Sequence, residues 1–260
     1  MVQRQFEHPS IVVGGRLRLR GCLNFTGTVG PAAVLFVHGF GSQCDGEKFK
    51  ALEVSCSALG WTLAAFNLRG HGDSDGTLGD LSGDGVQEDL DAIWDYLAGR
   101  GVHRLFLVGS SMGGWAAGWF AVRHPEIVTA CAAIAPAFAF PHVRWERLTE
   151  EERQNWRRQR LVSIRNEARG TDEQLDFALI EEMPRFHPGL LASRWSARLL
   201  VFHGMLDDVV PYTASLAFVE QLTEVEASVV LYRLGDHRLH WYRHEMARGI
   251  CQFFNRFRSP

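Results

Sequence analysis

The stretch "RLFLVGSSMGGWAAGWFAV" (104–122) passes from a short apolar run to an Ala-rich apolar stretch through a corner of glycine and serine. Gly109-Ser110-Ser111-Met112-Gly113 reads GxSxG only with Ser111 at the centre, since a frame centred on Ser110 would need glycine where Val108 and Met112 stand. A strand that turns this sharply into a helix holds the central residue in a strained backbone conformation, and side chains at the flanking positions would clash with the turn. The flanking glycines therefore predict a strand, a tight corner and a helix, with the Ser111 hydroxyl lifted clear of the sheet.

Working outward, five apolar runs end in Gly, Pro or Asp corners: "AAVLFVHGF" (32–40), "TLAAFNLRG" (62–70), "HRLFLVGSS" (103–111), "VTACAAIAP" (128–136) and "ARLLVFHG" (197–204). A sixth, "ASVVLYRLGDH" (227–237), follows. Runs that are apolar throughout, without alternation, suit strands buried on both faces of a parallel sheet. "SIVVGGRLRLRGCLNF" (10–25) alternates instead on both sides of Gly14-Gly15, the pattern of an antiparallel hairpin at a sheet edge. Between the runs lie helical patterns. Val86, Leu90, Ile93, Trp94 and Leu97 form one apolar stripe, and Ile250, Phe253, Phe254 and Phe257 form another near the C-terminus. The expected class is α/β, with a mostly parallel central sheet, an N-terminal antiparallel hairpin and helices on both faces.

Residues 138–195 break the alternation. Helical spacing without a strand-like run predicts a small helical cap inserted between core segments 1–137 and 196–260, above the carboxyl ends of the strands. At 260 residues the chain suits one domain. A net charge of −3 offers no footprint for a nucleic-acid backbone. Five cysteines without CxxC spacing read as reduced, partly buried thiols. The N-terminus lacks a signal-peptide apolar region, and no stretch reaches the roughly 18 continuous apolar residues of a membrane span. The expectation is a soluble, cytoplasmic chain.

Serine is a weak nucleophile without a base and a group that orients the base. On a strand–corner–helix nucleophile the chain order is Ser, then Asp or Glu, then His. His237, in the loop between the last strand-like run and the final helix, is the candidate base; His240 and His244 read as helix surface, and their i, i+4 pair offers no third ligand for a metal. The acid comes from "HGMLDDVVP" (203–211), where spacing from Gly204 favours Asp207 and leaves Asp208 to cap the following helix. The N–H of Met112, at the positive helix end, is one oxyanion donor. Gly39 and Gly41 allow Phe40 to turn its N–H inward as the second. His38, Arg69, His71 and Asp73 read as residues that fix their loops.

Together "HGFGS" (38–42), "RGHGDSDG" (69–76), "GSSMGG" (109–114), "HGMLDDVVP" (203–211) and "GDH" (235–237) resemble, in order, the motifs of the α/β-hydrolase superfamily. "GSSMGGW" with "HGMLDD" is similar to a serine esterase branch that includes acyl-glucuronide esterases and palmitoyl-protein thioesterases. "HGF", "RGHGDSDG" and the short cap are equally similar to bacterial feruloyl and short-chain carboxylesterases. The resemblance implies Ser111, Asp207 and His237 as catalytic residues, with Phe40 and Met112 as backbone oxyanion donors. It implies a cofactor-free, metal-free hydrolase of carboxylic esters, with thioesters as a further class. Carbon–carbon bond hydrolysis, perhydrolysis and a non-enzymatic ligand-binding role on the same fold stay open. The expected partner is a small-molecule ester with an apolar acyl or aryl group, met by a monomer or homodimer. Phe138, Phe140, Trp145, Trp156, Phe177, Phe186 and Trp195 either line such a pocket or pack the cap internally, and the arginines of "RQNWRRQR" (153–160) read as a solvated face.

Overall fold

The computed structural model describes residues 4–166 and 169–258. Residues 1–3 and 259–260 of the expected core, and 167–168 of the expected cap, lie outside it.

Each apolar run forms a strand. After β1 (Arg4–Glu7), the hairpin read around Gly14-Gly15 forms from β2 (Ser10–Val13) and β3 (Leu17–Thr26), with Val13 opposite Leu17. The two glycines take φ of 55° and 69°, which lets the turn close. β3 then pairs antiparallel with both β1 and β5 (Thr62–Phe66). From β5 the sheet is parallel through β4 (Ala32–Val37), β6 (Arg104–Ser110), β7 (Val128–Ile134), β10 (Arg198–Gly204) and β11 (Ala227–Tyr232). β4 and β5 are buried at every position, as strands covered on both faces must be.

Two apolar layers result. On one face α1 (Glu47–Ala58) packs beside the C-terminal helix α9 (Arg243–Asn255), and Phe49, Leu52, Ile250, Phe253 and Phe254 meet Val34, Phe106 and Ala132 of the sheet. On the other, α2 (Gly83–Gly99) buries Val86, Leu90, Ile93 and Leu97, the stripe read from its periodicity, against α3 (Met112–Arg123) and the sheet. Ser82 caps α2 by accepting from the Gly85 N–H at 3.0 Å. Ten of the twelve residues of α3 are buried, so this helix reads apolar all round because it is enclosed. No described helix is long and apolar enough to cross a membrane.

The segment between β7 and β10 departs from the expectation of a wholly helical insertion. It contains the short helices α4 (His142–Glu146), α5 (Glu150–Gln159), α6 (Ala178–Glu181) and α7 (Pro188–Arg194). Between α5 and α6, however, an antiparallel hairpin forms from β8 (Leu161–Asn166) and β9 (Thr171–Asp176). This hairpin is held by an inward face on which Leu175 is buried in the core and Val162 and Ile164 pack against it, and by polar contacts to the loop after β5. Arg169 donates to the carbonyls of Gly72, Ser74 and Gly76 at 3.0, 2.6 and 2.9 Å, and the Leu78 N–H donates to Glu173 at 2.8 Å. Its inward face also carries the polar Asn166 and Glu173, so the hydrophobic alternation is short. The remaining core helix, α8 (Tyr212–Glu220), connects β10 to β11.

The corner between β6 and α3 is the tightest point of this framework. A Cβ added at Gly113 would stand 2.0 Å from the Val37 carbonyl oxygen of β4, a backbone atom that cannot move aside. Gly113→Ala is expected to destabilise the fold by about 3 kcal/mol or more, the upper range of overpacking penalties. Urea unfolding of the variant beside the parent chain measures it.

Candidate active site

Ser111 occupies the corner at φ 54° and ψ −119°, outside the regions a side-chain-bearing residue favours. Strain of this kind persists only where the surroundings enforce it, here the strand before and the buried helix after. The Ser111 Oγ lies 3.1 Å from His237 Nε2. His237 Nδ1 lies 2.7 Å from Asp207 Oδ2. Three residues contributed by three separate loops at the carboxyl edge of the sheet thus form one continuous hydrogen-bonded chain.

The last two loops meet because the backbone allows it. A Cβ at Gly204 would lie 2.2 Å from the Gly235 carbonyl oxygen, so only glycine lets the end of β10 press against the turn that carries His237. The Leu206 N–H donates to Gly235 O at 2.9 Å and locks the two loops together. The Asp207 side chain has no solvent exposure. Burial alone would raise its pKa, but donors outweigh that: His203 Nε2 at 3.1 Å, His237, and the N–H groups of Val210 and Val209 at 2.7 and 2.9 Å hold the carboxyl well below its usual range. The carboxylate is therefore ionised at neutral pH.

His203 is a partner that sequence reasoning missed. It is fully buried at the end of β10, with Nδ1 2.8 Å from the Ser215 hydroxyl and Nε2 also 3.0 Å from Val210 O. Two acceptors at Nε2 place the ring proton there, so the Ser215 hydroxyl donates to Nδ1. The only signal in the sequence is a histidine closing an otherwise apolar strand. Asp208, expected to cap α8, does not: Pro211 occupies that position without a side-chain cap, and Asp208 stands exposed at the pocket rim. The backbone donors ahead of α8 are taken by Asp207 instead, because its carboxylate is the one turned inward.

Phe40 lies in the loop after β4, whose backbone runs close to Ser111: a Cβ at Gly39 would stand 3.8 Å from Ser111 Oγ. Neither the Phe40 nor the Met112 N–H finds an acceptor among the described residues. His38 fixes this loop, donating from Nδ1 to Gly39 O at 2.8 Å and accepting the Leu68 N–H on Nε2 at 3.0 Å. Burial, then repulsion from His71, lower its pKa to about 3, so the ring is neutral. Arg69 pairs with buried Asp89 at 2.7 Å, and Asp73 accepts from Asn67 at 2.8 Å. These residues hold loops and do not face Ser111.

A cavity of about 720 Å³ opens at Ser111, with Phe36, Phe40 and Val209 among its apolar walls. Its charged lining is mixed: Lys48, Arg165, Arg238 and Arg243 against Glu47, Asp208 and Asp236. The cap aromatics are not part of it. Phe138 stacks on Phe218 at 3.9 Å, Phe186 packs on Trp115 at 5.2 Å, and Trp145, Trp156 and Phe177 pack on one another, so these side chains are internal packing. His240 borders the cavity and His244 is exposed on α9. Among the described residues no cluster of His, Cys, Asp and Glu is placed to hold a metal.

Lys48 has no hydrogen-bond partner among the described residues, and burial, then repulsion from Arg238, lower its pKa to about 8 against the pull of Asp236 and Asp207. At pH 7 the ammonium is charged in both folded and unfolded chains, and the folded state bears the cost. Between pH 8 and about 10.4 the unfolded chain binds the proton more tightly, so stability rises with pH there. Lys48→Met is expected to raise the melting temperature by a few degrees at pH 7, with the gain shrinking towards pH 10. Thermal unfolding across that range measures it.

With this geometry in view, the likenesses to known proteins are specific. The sequence model of the family described as "Serine aminopeptidase, S33" (Hydrolase_4) matches residues 31–187, well over half of the chain. "Palmitoyl-protein thioesterase ABHD10, mitochondrial" of Mus musculus is 31% identical over 217 residues, covering 79% of this chain and 69% of that protein. Among solved structures, "Alpha/beta hydrolase domain-containing protein 10 from mouse" superposes with a TM-score of 0.81 at 24% identity, covering 96% of this chain and 99% of the other. Est1E from Butyrivibrio proteoclasticus, solved with ferulic acid bound, also gives 0.81, at 20% identity and 95% and 98% coverage. The chain belongs to the S33 serine aminopeptidase family (Hydrolase_4) and has the α/β-hydrolase fold.

Proposed function

We propose that the protein hydrolyses carboxylic esters, thioesters among them, through an acyl-enzyme on Ser111. The observation that carries this reading is the unbroken path from Ser111 Oγ to His237 at 3.1 Å and on to Asp207 at 2.7 Å, opening onto a cavity. The relative named as a palmitoyl-protein thioesterase, 31% identical, supports the same bond class.

In this mechanism Ser111 Oγ attacks the substrate carbonyl while His237 Nε2 accepts the hydroxyl proton. Asp207 holds His237 with its Nδ1 protonated and stabilises the imidazolium that forms. It stays ionised, because its four donors favour the charged form. The Phe40 and Met112 N–H groups, having no internal acceptor, bind the oxyanion of the tetrahedral intermediate, each contributing on the order of 10²–10³ in rate. His237 then protonates the leaving alcohol or thiol, and a water activated by the same ring releases the acyl group. No cofactor or metal enters any of these steps. Residues 138–195 act as a cap that closes one side of the site, and substrate selection falls to the mixed-charge cavity walls and not to the cap aromatics.

Nitrophenyl esters from acetate to palmitate, run beside an acyl-CoA thioester and an aminoacyl nitroanilide, are expected to show ester and thioester turnover exceeding amide turnover. A diketone and a peroxide assay in the same panel test the carbon–carbon and perhydrolase alternatives. Ser111→Ala is expected to lower kcat by roughly 10⁶ and to abolish labelling by a fluorophosphonate probe. Undiminished ester turnover in that variant excludes the assignment.

A further inference from the structure

Asp207 divides its four donors between its two oxygens. Oδ1 accepts the N–H groups of Val209 and Val210, both from its own loop. Oδ2 accepts from His237 Nδ1 at 2.7 Å and also from His203 Nε2 at 3.1 Å. Two imidazoles therefore share one carboxylate oxygen, and it is His237 that continues to Ser111. The other ring has no step in the chemistry described above.

The place of His203 is set by the sheet. Along β10 the side chains of Leu199 and Val201 enter the apolar layer that also contains Phe218 of α8, and strand alternation puts His203 on the same side. There its Nδ1 lies 2.8 Å from the hydroxyl of Ser215, in the first turn of α8. Both side chains are fully buried. A histidine at this depth needs a partner at each ring nitrogen. Ser215 and the Val210 carbonyl, 3.0 Å from Nε2, already supply them. The bond to Asp207 is thus additional to what burial demands. Ser215, His203 and Asp207 repeat inside the core the order of groups that Ser111, His237 and Asp207 form beside the cavity.

We propose that His203, steadied by Ser215, is a positioning residue for the ester hydrolysis assigned to Ser111: it fixes Asp207 Oδ2 where His237 Nδ1–H meets it, and so acts on turnover through His237 without touching substrate. This inference rests on the reading of Ser111 as nucleophile and His237 as base. With Oδ2 held from β10, the His237 ring keeps its Nε2 directed at Ser111 Oγ while the proton is transferred. Without that hold the carboxylate turns about its terminal bond, whose rotational preference is broad, and His237 loses its register with the hydroxyl. A misplacement of about 1 Å costs roughly 10²-fold in rate. Substrate binding is untouched, because neither His203 nor Ser215 lines the cavity.

His203→Met removes the donor at similar volume, and His203→Gln places an amide N–H where Nε2 stands. For nitrophenyl acetate, with kcat expressed per site titrated by a fluorophosphonate, His203→Met is expected to lose roughly 10²-fold in kcat with KM unchanged. His203→Gln is expected to recover to near the parent value. A merely structural role gives another pattern, in which the titrated fraction falls and kcat per site does not. Ser215→Ala, which removes one hydroxyl, is expected to lower kcat roughly tenfold, the smaller end of what outer partners of functional histidines contribute, and carries the test if His203→Met does not fold. Undiminished kcat per site in His203→Met, or a loss in His203→Gln as deep as in His203→Met, overturns the proposal. An unimpaired Ser215→Ala beside an impaired His203→Met removes Ser215 from it, and overturns it where Ser215→Ala carries the test. A second arm is independent of turnover: the proton NMR resonance of His237 Nδ1–H, assigned by its absence in His237→Gln, is expected to shift in His203→Met and Ser215→Ala and to hold in His203→Gln. An unmoved resonance overturns the positioning of His237. Ester turnover retained in Ser111→Ala overturns the hydrolase reading instead, and the resonance then decides by itself whether His203 fixes the bond between Asp207 and His237.

Discussion

A carboxylate with no access to water must be answered by hydrogen-bond donors, and the site is organised around that demand. Asp207 meets it with donors from its own loop, from the end of β10 and from the loop after β11. Each donor fixes a different piece of chain. Val209 and Val210 set the path into α8, His203 ties the carboxylate to the strand, and His237 is drawn to where Ser111 can reach it. Removing the charge would leave several buried donors facing an apolar sheet end, so the ionised form and the loop geometry sustain one another.

The sheet supplies what such a network requires, namely rigid ends that do not drift. Six parallel strands with apolar layers on both faces leave only their carboxyl ends for polar work. There the strained Ser111 corner is held by a helix that is buried almost completely, and the Phe40 loop is held by a neutral histidine bonded at both nitrogens. Rigid support of this kind is what the proposed nucleophile and oxyanion donors would need to stay within about 0.5 Å of useful geometry. The cavity above them differs in character, with opposite charges along its walls beside apolar side chains.

Most strands and core helices were legible because burial on two faces or on one stripe writes itself directly into residue order. The β8–β9 hairpin was not. Its inward face mixes the apolar Val162, Ile164 and Leu175 with the polar Asn166 and Glu173, and Arg169 and Glu173 anchor it to a polar loop, so the apolar alternation is too short to read from the sequence. Gly170, at φ 68° just before β9, was the one local sign of a turn there. Asp207 and Asp208 present the opposite case. Adjacent carboxylates carry nearly the same local information, and choosing between them depends on which one the loop turns inward. The aromatic residues of 138–195 could be pocket walls or packing, since either role asks for the same side chains, and helical spacing favours packing.

The sequence by itself determined the elements and the chemical candidates: which runs are strands, where the chain must bend at Ser111, and which histidine and acids follow it in order. Those features are local, set by sterics at a corner and by the spacing of apolar residues. Only the tertiary structure decided which carboxylate is enclosed, that His203 shares it, and that the cap aromatics pack against one another and against α3 and α8. Each of these joins residues far apart in the chain, and their proximity is a product of how the sheet stacks its loops, which no window of sequence contains.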